Sequence, residues 1–82
     1  MMTVEQITTA KERLENAFRP LICKVEDLDY RSKIRFKVLD GKGNTVFEVP
    51  QVFQSTIIDE RHFADVIEQA RRVIQAKGYI LK

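Results

Sequence analysis

Cysteine and histidine each occur once in this 82-residue chain, as Cys23 and His62. A single cysteine excludes an intramolecular disulfide, and one cysteine with one histidine falls short of the several ligands a zinc cluster needs. Glycine occurs three times and proline twice, so no glycine- or proline-rich linker divides the chain. No apolar run approaches the roughly 18 residues of a membrane span. The opening "MMTVEQITTAKERL" lacks the apolar centre of a signal peptide. These absences predict a cytoplasmic protein with no membrane partner. Charge of one sign is missing too. Lys plus Arg number 14 against 12 Asp plus Glu, a net +2, and no third of the chain is strongly basic. The electrostatic footprint of a dedicated nucleic-acid binder is therefore weak.

What is present reads as one domain over residues 1–82. A chain of this length buries only roughly 60% of the surface its unfolded form exposes, which leaves no room for a deep enclosed active site. Hydrophobic residues at 44% and charged ones at 32% are the balance of a globular protein rather than a disordered one.

Val4, Ile7, Ala10, Leu14, Ala17 and Phe18 recur at helical spacing and predict a helix over 3–18. Thr3 with Gln6 fits a capping box, and Pro20 disfavours helical geometry at Arg19. Three alternating segments follow, predicting strands over 21–27, 32–39 and 45–53; "KIRFKVL" is the clearest of them. Phe63, Val66, Ile67, Ala70, Val73 and Ile74 form the stripe of a second helix over 59–77. Asp59 suits its N-cap with Thr56 as the rival, Ile58 could staple onto Phe63, and Gly78 suits its stop.

The expected fold is α+β: a two-layer α-β-β-β-α domain, a three-stranded antiparallel meander with both helices on one face. Phe36, in the middle of the central strand, is expected at the centre of the covered side. The uncovered side would present Ile22, Lys24, Glu26, Lys33, Arg35, Lys37, Val46 and Glu48.

Chemistry-bearing patterns are few. "DGKGN" (Asp40 to Asn44) has a lysine where a calcium loop needs a second oxygen ligand. A strand follows it, where a phosphate loop would open into a helix. It reads as a hairpin turn in which Gly41 and Gly43 supply positive φ. Cys23 alternates with core positions and reads as a small buried hydrophobe. His62 falls in the first turn of the second helix, with no reason to meet Cys23. No catalytic residues, metal ligands or cofactor fingerprint emerge, and an enzyme is not expected. The candidate binding surface is the basic row Lys33, Arg35 and Lys37 with Lys24 beside it. It is either a solvated face paired with Glu26 and Glu48 or a surface for phosphates or an acidic partner.

The order α-β-β-β-α resembles that of the double-stranded-RNA-binding domain. That family's phosphate contacts come from a lysine cluster opening its second helix and a histidine-bearing loop between its first two strands. The corresponding stretches here, "IDERHFADV" and "EDLDYRSK", depart from both. A second likeness covers most of the chain. "AFRPLIC" (Phe18, Pro20, Leu21, Cys23), "DGKG" and "FADVIEQARRVI" resemble short bacterial proteins grouped as a domain of unknown function, and that likeness implies no activity. The residues themselves point to a small non-enzymatic binding or regulatory module. It would act by protein–protein contact through the exposed sheet face, on a protein partner or on itself as a homodimer. The alternative is a nucleic-acid-binding domain using the basic residues of the central strand.

Overall fold

A computed structural model describes all 82 residues. The order is α1 (Val4–Ala17), β1 (Ile22–Leu28), β2 (Lys33–Leu39), β3 (Thr45–Phe53), α2 (Gln54–Ile57) and α3 (Glu60–Ala76). The strands form one antiparallel sheet in the order β1-β2-β3. The α+β order α-β-β-β-α is therefore the observed one, with the one-turn helix α2 as an addition.

Local chemistry sets the helix ends. The Thr3 side chain accepts from the Gln6 amide while the Gln6 side chain accepts from the Thr3 amide, a complete capping box. Asp59 caps α3 by accepting from the amides of Arg61 and His62. At the far end Gly78 takes φ +100°. The amide of Gly78 donates to Gln75 O and that of Tyr79 to Ile74 O, the paired bonds of a Schellman stop. α1 has no basic residue in its last turn, but Arg71 of α3 donates to Ala17 O there. A cation from a neighbouring helix thus meets the negative end of the α1 dipole.

The core lies between the sheet and the helices. Phe18, Leu14, Ile34, Phe36, Val38, Phe63 and Ile74 are all at most 1% exposed, and the rings of Phe18 and Phe36 stack with centroids 5.8 Å apart. Burying side chains of this size is the main stabilising term in a small domain. Leu81 folds back into the core, whereas Ile80 points outward. Two positions of the helical stripes are displaced from the core: Val4 is 64% and Val73 41% exposed. Ile58, the expected staple, is exposed as well.

The strand β3 departs most from simple alternation. Its register with β2 shifts twice, once where Val38 pairs with Phe47 and Leu39 with Thr45, and again where Ile34 pairs with Val52 and Phe36 with Val49. In each place β3 carries one residue more than β2, as in a β-bulge. The first extra residue is Val46, which alternation assigns to the uncovered face. It is buried in the core instead. The second break contains Pro50, whose missing N–H suits an interrupted ladder, and it turns Val52 into the core.

Candidate functional site

One face of the sheet is packed under the helices and the other is bare. The ladder pairs set out that bare face in rows. Ile22, Leu39 and Thr45 form one end; Lys24, Lys37 and Glu48 come next; Glu26 and Arg35 follow; Leu28, Lys33 and Phe53 form the other end. Both ends carry exposed apolar surface, with Ile22 at 51% and Phe53 at 52%, while Leu39 is nearly covered without joining the main core. Between them a depression of about 460 Å³ is lined by Lys24, Val25, Glu26, Arg35, Phe36, Lys37 and Glu48.

The four candidate residues all project from this face, but they differ in state. Arg35 is occupied: its Nε and Nη2 donate to Glu26 Oε2 at 2.9 and 2.5 Å. Lys33 is occupied several times over. Its Nζ lies 3.1 Å from Asp29 Oδ2 and 3.0 Å from Gln51 Oε1, and it sits 5.7 Å from the Phe53 ring centroid. Lys24 and Lys37 have no ion pair, and they stand directly opposite each other across β1 and β2. Like charges in that position repel. The basic row is thus two engaged cations and one free pair. The engaged state of Lys33 was hidden in the sequence, because its partners Asp29 and Gln51 come from a turn and from the second register break.

The chemically reactive side chains do not converge. Cys23 is buried on β1; burial, reinforced by the charge of Glu15, pushes its thiol up to about 12. A thiol so raised is a poor nucleophile at neutral pH. His62 is exposed at the start of α3, with Nδ1 3.3 Å from Asp59 Oδ2, an (i, i+3) contact inside the cap. No three His, Cys, Asp or Glu side chains gather where they could hold a metal ion. No helix is long and apolar enough to cross a membrane.

The loop "DGKGN" closes a tight hairpin. Asp40 Oδ1 accepts from the amides of Lys42 and Asn44 at 2.9 and 3.0 Å. These amides hold its carboxyl below the ordinary range, as expected of an anion receiving N–H bonds. Only Gly43 has positive φ, at +86°; Gly41, expected to share that role, does not.

Comparison with known proteins adds no relative: no family model, no curated protein and no solved structure matches this chain.

Proposed function

We propose that this protein is a small non-enzymatic binding or regulatory module that docks a protein partner on the bare face of its sheet. The state of the basic row carries the reading. A track of phosphates is met by several free cations in series. Here Lys33 and Arg35 are already neutralised, and the free pair Lys24 and Lys37 is flanked at both ends by exposed Ile22 and Phe53. Aromatic and aliphatic anchors among mixed charges are the make-up of a protein–protein contact. A raised, buried Cys23 and a His62 engaged with its own helix cap support a role without covalent or acid–base chemistry. The test is affinity capture from lysate of the producing cell. A retained partner should be lost on Lys37→Glu and kept on Glu12→Ala, an exposed change on α1. Equal retention by both variants would place the contact elsewhere.

The free pair Lys24 and Lys37 also favours a second reading, binding of nucleic acid through Lys24, Lys33, Arg35 and Lys37. The likeness of element order to the double-stranded-RNA-binding domain belongs to it as topology alone. It requires affinity for RNA or DNA at about 50 mM salt that weakens steeply as salt rises. Absence of binding there removes it.

A further inference from the structure

The two edges of the sheet are treated differently. β3 is blunted: it carries Pro50 and both register breaks, and Lys77 Nζ donates to its Val46 carbonyl at 2.5 Å. Proline and bulges in a strand, and a neighbouring element that covers its backbone, keep an edge from pairing with another chain. β1 has none of these, and its own charges, Lys24, Glu26 and Asp27, are of both signs. It pairs with β2 without a register shift, and no turn, loop or cap hydrogen bond reaches its backbone between Ile22 and Asp27. Its outer row of N–H and C=O groups is open.

We infer that β1 pairs antiparallel with β1 of a second copy about a two-fold axis through Val25, joining two three-stranded sheets into one. The sequence of the strand, "ICKVEDL", is self-complementary about that residue. The pairing sets Lys24 opposite Glu26 twice by symmetry, and Ile22 opposite Leu28 twice, as an isologous contact requires. Unlike charges and apolar pairs directly across an antiparallel ladder are stabilising. The monomer holds the groups ready for this. Lys24 has no ion pair and faces Lys37. Glu26 uses only Oε2 to hold Arg35, so Oε1 is free for the incoming ammonium. Ile22, half exposed in the monomer, gains an apolar neighbour. On the helix-facing side Val25 meets its own copy. Cys23 there meets Asp27, which is exposed at the rim of the covered face. The inference goes beyond the docking face: it concerns an edge, and it stands whether or not the face takes a ligand. Its consequence is that two bare faces become one continuous surface, so a repeated partner would be held at two places at once.

Sedimentation equilibrium across the micromolar range tests it, with circular dichroism on every variant to show that it is folded. Wild type is expected to dimerise. Lys24→Glu places two carboxylates at positions 24 and 26, and Glu26→Lys places two ammonium groups there. Either change alone should weaken self-association roughly ten- to hundred-fold, since two cross-strand pairs turn from attraction to repulsion. Mixing the two folded variants should restore association, because each then meets the opposite charges. Glu48→Lys, on the bare face but at the far strand, should leave the dimer unchanged. A wild type that stays monomeric overturns the inference. So does a mixture that associates no better than its components, or a loss in Glu48→Lys as large as in the β1 variants.

Discussion

From Ile22 to Leu28, β1 pairs with β2 residue for residue, yet the turn between them holds Asp29, Tyr30 and Arg31 at φ +49°, +53° and +66°. No glycine is among them. The other half of the sheet is the reverse. β2 and β3 are joined by a turn with a glycine at its one positive-φ position and a carboxylate on two of its amides, and their ladder is broken twice. The first turn is held from outside its own chemistry. The Met2 amide donates to Arg31 O at 2.9 Å, and Ser32 Oγ donates to Asp29 O at 2.7 Å, with Met2 buried in the core. A regular ladder thus needs no good turn when the core holds both strands, and a good turn does not enforce a regular ladder. The breaks in β3 serve packing, since they send both Val46 and Val52 inward, and they leave that edge unfit for pairing. The regular half is the one left with an open edge.

The largest test removes what the two halves share. Phe36 on β2 is 1% exposed and stacks on Phe18. Phe36→Ala should cost roughly 3–5 kcal/mol, comparable to the whole stability of a small domain, and leave the protein largely unfolded at 25 °C. Arg35→Ala, one residue away, removes an ion pair whose partners are both more than half exposed. It should cost no more than about 0.5 kcal/mol. Thermal melts separate the two, and similar losses would mean that the covered face is misassigned.

The next test is specific to the irregular half. Val46→Ala should cost about 2 kcal/mol if the first register break tucks this side chain into the core. Were β3 to alternate without a break, the same change on a solvated face should cost less than about 0.5 kcal/mol. Urea titration distinguishes these values. Here the sequence was least legible. "TVFEV" alternates acceptably without a bulge, and nothing in five residues reports that one of them will be surplus to the partner strand. α2 was missed for a related reason, because four residues are too few to show a helical period. By contrast the capping box of α1, the Asp59 cap, the Gly78 stop and the burial of Phe36 were all readable, since each depends on residues within one turn or on a strong local pattern. The candidate face was readable as a set of residues. Which of its cations are free was not, because that depends on register.

Smaller effects compare the turns. Gly43→Ala meets no steric obstacle, as nothing lies within 4 Å of the added carbon, so its cost is that of the left-handed backbone alone, about 1 kcal/mol. Gly41→Ala, with equal space and no positive φ, should be neutral or slightly stabilising through the unfolded chain. Acid adds a second reading of the same turn. The Asp40 carboxyl titrates below its unfolded value of 3.8 because the Asn44 and Lys42 amides bind its anion. A group lowered on folding contributes stability above its unfolded pKa and loses it as pH falls through the folded one. Wild type should therefore shed this increment as pH falls through 3.8 and below, and Asp40→Asn, compared by urea midpoint, should lack it.

The smallest expected effect has the opposite sign and bears on the regular half alone. Tyr30 sits in the middle of the three left-handed residues and is 91% exposed, so its ring contributes almost no packing to offset the strain. Asparagine tolerates this backbone region far better than an aromatic residue does, because its short side chain can bond locally. Glycine would tolerate it too, but it would also enlarge the entropy of the unfolded chain and cancel part of the gain. Tyr30→Asn should thus raise stability by about 0.5 kcal/mol, where Gly43→Ala in the other turn lowers it. A neutral or destabilising Tyr30→Asn would show that the turn carries no strain at that residue, and the contrast between the two halves would then rest on their ladders alone.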